Sequence, residues 1–140
     1  MPKKASKKIP APLSGDFVQG YLEAALWSSV IYRGEEGAEE EGNEDPFDKH
    51  YGVDDFTDDA LIKSINDCNN FVRENGEKLS GASLDYGQHG HDFWLTRNRH
   101  GAGFWDRGYG VVGKELSDAA KAYGEVNLYE TDDKKVGVDG

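Results

Sequence analysis

One cysteine, Cys68, is all the chain contains, so no disulfide can close within it, and a reducing cytoplasm is the setting that this usage predicts. No apolar run approaches the roughly 18 residues that a membrane span needs. The opening MPKKASKKIPAP carries no apolar core of the kind found in a secretory leader, which predicts the same compartment. Aliphatic side chains are also few. Hydrophobic residues make up 36% of the chain, but they include sixteen Trp, Tyr and Phe residues. Each aromatic buries roughly 150–250 Å², which compensates for the missing Leu and Ile and permits one modest core.

Positive charge is the other shortage. Sixteen Lys and Arg stand against 27 Asp and Glu, a formal net charge of −11. Such a surface repels DNA, RNA and anionic lipid and is steered toward basic surfaces. The charge is also unevenly placed. Four lysines and no acid occupy the first eight residues, whereas Glu35 to Asp59 holds twelve acids and one lysine. No nucleotide-binding, phosphate-binding or closed metal-ligand motif is present, so no cofactor and no metal are implied.

A length of 140 residues fits one domain. Residues 1–13, rich in Lys, Pro and Ala, read as a flexible basic arm, and 14–140 as a single α+β domain with an acidic loop at 34–48. Within the domain, Ser14 N-caps a helix to about Ser28 whose core face is Phe17, Tyr21, Ala24 and Ala25; Trp27 at its end either seals that core or sits on a partner surface, and the core is the preferred expectation. Thr57 N-caps a second helix with Leu61, Ile65, Cys68 and Val72 on its seam and Gly76 as its stop. Cys68 on that seam is a small hydrophobe rather than a nucleophile. A third helix runs from Val112 to about Tyr123, followed by a strand over Glu125 to Thr131 and a short return strand over Lys134 to Val138.

The stretch His89 to Gly108, HGHDFWLTRNRHGAGFWDRG, concentrates the chemistry, with three of the four histidines, two of the three tryptophans and three arginines. It reads as a β-hairpin of about residues 92–107 turning at Asn98 to Gly101. The favoured register pairs Trp94 with Trp105 and Asp92 with Arg107 on one face, and Leu95 with Phe104 on the other. The expected fold is therefore α+β, a small antiparallel sheet built on this central hairpin and packed with about three helices.

The residues GHDFWLTRNRHGAGFWDRG, with YLEAALWSS upstream and a helix ending in YGE followed by LYETDD downstream, resemble a family of small proteins of tailed bacteriophages and related mobile elements. The similarity runs from about Phe17 to Asp133; His89 and the acidic stretch Glu35 to Asp45 depart from the pattern. The resemblance implies a phage context, hence a host-cell cytoplasm, and carries over no catalytic role.

Three groups of residues invite a functional reading. His89 and His91 form an HxH which, with His100, would make a three-histidine zinc set, but on a hairpin the turn lies some 20 Å from the first strand's start, so the set is discounted. His91, Asp92, Asp106 and Arg107 fit either an acid–base cluster, with His100 added, or a structural ion-pair cluster at the hairpin's open end, and the structural reading is preferred because no nucleophile is near. The carboxylates Glu35, Glu36, Glu39, Glu40, Glu41, Asp54, Asp55, Asp58 and Asp59 are the candidate binding surface, with Trp94, Arg97 and Trp105 of the hairpin as a second one. Two functions follow. The preferred one is an acidic phage-type accessory protein that binds a basic, nucleic-acid-binding host protein as a DNA mimic. The alternative is a small hydrolase or nuclease using His91, Asp92, His100, Asp106 and Arg107.

Overall fold

A computed structural model describes residues 8–32 and 44–140. The opening helix, α1 (Gly15–Ser28), starts where Ser14 accepts a hydrogen bond from the Phe17 amide, as expected of an N-cap. A three-residue strand β1 (Val30–Tyr32) pairs antiparallel with β2 (Glu44–Pro46), with Val30 opposite Pro46. Two 3₁₀ turns, Phe47–Lys49 and Val53–Asp55, lead to α2 (Asp58–Ala82), N-capped by Thr57. Helices α3 (Tyr86–Arg97) and α4 (Val111–Lys121) follow, separated by a 3₁₀ turn at Phe104–Asp106. The chain closes with β3 (Asn127–Glu130) antiparallel to β4 (Val136–Asp139), Leu128 facing Val138. The fold is thus mixed helix and sheet, with four α-helices and two small two-stranded antiparallel sheets among the described residues. No helix among them is long and apolar enough to cross a membrane.

The hairpin expected over 92–107 does not form. Its first half is α3, and the register that paired Trp94 with Trp105 and Leu95 with Phe104 is absent. The physical reason is burial on every side. Asp92, Phe93, Trp94, Leu95, Thr96 and Arg97 are six consecutive buried residues. Over those six positions the helix has no water-facing side, so their sequence shows neither the 3.6-residue stripe nor the alternation that separates helix from strand. Both ends are nonetheless specified locally. Asp85 accepts from the Gln88 amide as N-cap. At the other end the amides of His100 and Arg99 donate to the carbonyls of Leu95 and Thr96, a Schellman closure with Arg99 in the left-handed region at φ 59°.

Two glycines let α3 reach the middle of the molecule. A Cβ at Gly90 would stand 1.8 Å from the Phe17 carbonyl oxygen, and one at Gly20 would stand 2.0 Å from that of Gly87. Backbone therefore touches backbone where α1 and α3 cross. Phe93 of α3 then stacks on Phe71 of α2 at 4.3 Å between ring centroids and meets Tyr21 and Tyr123 at 5.3 and 5.2 Å. Phe104 joins the stack against Phe71 at 5.7 Å. The aromatic residues thus form the centre of the core, each such pair adding about 0.5–1.5 kcal/mol beyond its area.

Two smaller expectations also change. Gly76 does not end α2, because Leu79 continues the apolar seam of Cys68 and Val72 into the core and is fully buried. Within the stretch read as a flexible arm, residues 1–7 lie outside the described residues. Ala11 and Leu13 are instead tied to α2, the Asn69 side chain donating to the Ala11 carbonyl and accepting from the Leu13 amide, each at 2.9 Å.

Candidate functional site

Asp92, expected in a catalytic or ion-pair cluster, is fully buried on α3. Arg107, just past the 3₁₀ turn, reaches back with Nη2 2.8 Å from Asp92 Oδ1 and Nε 3.1 Å from Oδ2, and Gln88 Nε2 donates to the same carboxylate at 2.9 Å. The pair foreseen in the hairpin register therefore exists, but it clamps a loop onto a helix. A second tie lies one turn on, where Thr96 Oγ1 accepts from the Phe104 amide at 3.3 Å. Gly103 at φ 147° lets the loop pass so close that a Cβ there would fall 2.2 Å from that hydroxyl. Asp106 is spent on the same loop, its Oδ1 accepting from the Gly103 amide.

Arg97 and Trp94, expected as a binding surface, belong to the interior instead. Arg97 is 1% exposed. Its Nε and Nη2 donate to the carbonyls of Gly124 and Tyr123 beyond the end of α4, and its Nη1 to Tyr21 Oη at 3.0 Å and Asp67 Oδ2 at 2.8 Å. The guanidinium fork thus satisfies orphan carbonyls and ties all four helices together, a geometry that a lysine's point charge does not reproduce. The Trp94 indole donates to Ser28 Oγ at 2.7 Å. His89, likewise buried, directs Nε2 at the carbonyls of Leu79 and Ser83, so that nitrogen carries the proton and caps the end of α2. Cys68 keeps its thiol form, because burial pushes its pKa well up and neighbouring Asp67 adds to the effect.

What remains at the surface is different in kind. His91 lies in a groove between α1 and α3, and the Trp27 ring packs over it at 5.6 Å between centroids. Trp27 does not seal the core; it is 61% exposed. Burial against α1 lowers the His91 pKa from 6.5, with Arg107 acting in the same direction and Asp92 and Glu23 opposing. Its Nδ1 is out of reach of solvent and has no hydrogen-bond partner among the described residues. His100 is exposed and lines another groove, at the far end of α3 beside Asn98 and Leu128. His91 sits within α3 and His100 beyond the closure of its C-terminal end, and the two line different grooves. The HxH breaks up too, since His89 points into the core, and no cluster of three or more His, Cys, Asp or Glu among the described residues is arranged to hold a metal.

Of the candidate acids, Asp54, Asp58 and Asp59 are exposed and Asp55 is half-buried, its carboxylate accepting from the Gly52 amide at 2.8 Å. Asp48 is exposed as well. Glu35, Glu36, Glu39, Glu40 and Glu41, with most of the loop expected at 34–48, lie outside the described residues. Trp105 is 59% exposed and stays a surface candidate. Sequence reasoning missed the groove itself: Asp16, Gln19 and Glu23 of α1 face Asp85, Gln88 and His91 of α3. The available signal was the polar spacing Asp16, Gln19, Glu23, Trp27, which is one helix stripe ending in an aromatic residue that the apolar face does not require. No protein-family profile matches the chain, and neither does any curated protein or solved structure.

Proposed function

We propose that this protein acts by binding rather than by catalysis, presenting an acidic surface to a basic, nucleic-acid-binding host protein in the manner of a DNA mimic. One observation carries the reading. The charged groups of the central stretch are consumed inside the fold, Asp92 by Arg107 and Arg97 by Asp67 and backbone carbonyls, whereas Asp48, Asp54 and Asp58 stand exposed with no ion pair among the described residues. A surface of that kind speeds encounter with a basic partner and weakens as salt rises, because exposed charges act mainly through steering. The resemblance of the GHDFWLTRNRHGAGFWDRG stretch to phage proteins supplies the host context, and with it a cytoplasmic location.

The placement of the residues supports binding over the hydrolase or nuclease reading. His91 and His100 line different grooves, Asp106 caps a turn, and Asp92 and Arg107 neutralise each other.

The test is competition with duplex DNA for a basic nucleic-acid-binding protein from host lysate, at low and at moderate salt. The wild-type chain is expected to displace DNA, and to do so less as salt rises. Replacing Asp54, Asp55, Asp58 and Asp59 by Asn, or Glu35, Glu36, Glu39, Glu40 and Glu41 by Gln, is expected to weaken displacement while circular dichroism stays unchanged. If neither set alters it, the mimic reading fails.

A further inference from the structure

We infer that the groove between α1 and α3 receives an arginine side chain from the partner polypeptide, with Trp27 as its stacking platform. The inference rests on the reading that the partner is basic, and adds where and how one of its residues is held.

The groove is built from acceptors. Asp16 and Glu23 on α1 and Asp85, the N-cap of α3 that already accepts from the Gln88 amide, are carboxylates, and no lysine or arginine is among the lining residues. Gln88 is oriented rather than free: its Nε2 donates to the buried Asp92 at 2.9 Å, which fixes the amide plane and leaves its carbonyl oxygen as an acceptor. The floor carries no side chain, because Gly20 and Gly87 touch there through their backbones, and this gives the groove its depth. The nearest guanidinium, that of Arg107, is committed to Asp92 by paired hydrogen bonds and does not fill the acceptor set.

At the groove's end stands Trp27, one turn of α1 beyond Glu23. An indole 61% exposed contributes little to the core, and here its ring centroid lies 5.6 Å from that of His91, a residue of the groove. A flat π face beside carboxylates is the arrangement that binds a cation by stacking and charge together. Arginine fits better than lysine, since its planar fork stacks on an indole while its N–H groups reach a carboxylate and an amide oxygen in one plane. Trp and Arg are also the residue types that dominate binding energy in protein interfaces.

The experiment uses the full chain with Trp105→Phe, so that a change in emission reports Trp27, Trp94 being buried, and titrates an arginine-rich peptide and a lysine-rich peptide of equal length. At low salt the arginine peptide is expected to shift Trp27 emission and, by calorimetry, to bind several-fold more tightly than its lysine counterpart. Glu23→Gln and Trp27→Ala, both changes of exposed side chains whose folding is checked by thermal melting, are expected to weaken it about tenfold. Asp54→Asn with Asp58→Asn is expected to leave the arginine preference intact. Equal affinity for the two peptides, unchanged in Glu23→Gln and Trp27→Ala, overturns the groove while leaving the acidic-surface reading standing. Failure of both peptides to bind at low salt overturns both.

Discussion

Asp92 and Arg107, fifteen residues apart, form a clamp in which a fully buried carboxylate on α3 accepts from both Nε and Nη2 of a guanidinium that remains one-third exposed. The asymmetry of exposure sets the cost of breaking it. Arg107→Ala leaves a buried carboxylate with only Gln88 to support it and should cost about 3–5 kcal/mol. Asp92→Asn leaves the guanidinium free to turn to water, and its amide keeps a partial partner, so the loss should be clearly smaller. Urea unfolding of both variants checks this. Equal losses would mean that the clamp contributes through packing alone.

The glycines predict opposite signs within one molecule. Gly90→Ala would drive a methyl group into the Phe17 backbone at the helix crossing, and no rotamer relieves a clash with a main-chain carbonyl, so that variant should lose several kcal/mol or fail to fold. Gly76→Ala, inside α2 with nothing within 4 Å of the added carbon, should gain about 0.5–1 kcal/mol from helix propensity. Thermal melting separates the two cases.

Arg99 holds a left-handed position at φ 59° that most side chains resist, at about 1–2 kcal/mol, and its side chain is exposed. Arg99→Gly should therefore stabilise the protein by up to about 1 kcal/mol once glycine's own entropy is counted. Arg99→Ala should stay near neutral, because alanine meets the same strain. A melting temperature that falls in the glycine variant would show that the Arg99 side chain has a role that the Schellman geometry does not explain.

His91 gives the stability a pH dependence of known sign. Its folded pKa lies below the unfolded value near 6.5, with burial as the main cause. Well above 6.5 both states hold neutral imidazole and the residue contributes nothing to the slope. As pH falls through 6.5 the unfolded chain takes up the proton first, so stability declines until the folded form is protonated as well. His91→Gln should flatten that part of the profile while leaving the carboxylate-driven decline at lower pH in place. Chemical denaturation at a series of pH values between about 5 and 8 measures it.

Much of the outer frame was determined by the sequence alone. The N-caps Ser14 and Thr57, the seam of Ile65, Cys68 and Val72, and the β3–β4 pairing followed from local capping chemistry and from helical or alternating spacing. These are short-range signals, and they survive because each of those elements keeps one face in water. The acidic balance is likewise fixed by composition before any fold is known.

The centre was decided only in three dimensions. Residues 92–97 are apolar or consumed on every side, so their pattern contains no face for a periodicity to reveal, and strand and helix are equally consistent with it. The helix forms because Gly20, Gly87 and Gly90 permit backbone contact with α1 and because Arg97 finds acceptors on three other elements. The pairing of Asp92 with Arg107 emerged from sequence even though the hairpin argument behind it does not hold, since opposite charges flanking a buried stretch find each other in more than one geometry. The groove of Trp27 and His91 left no such trace: its two walls are some sixty residues apart in the chain, and only the crossing of α1 over α3 sets an exposed indole beside an acceptor-lined cleft.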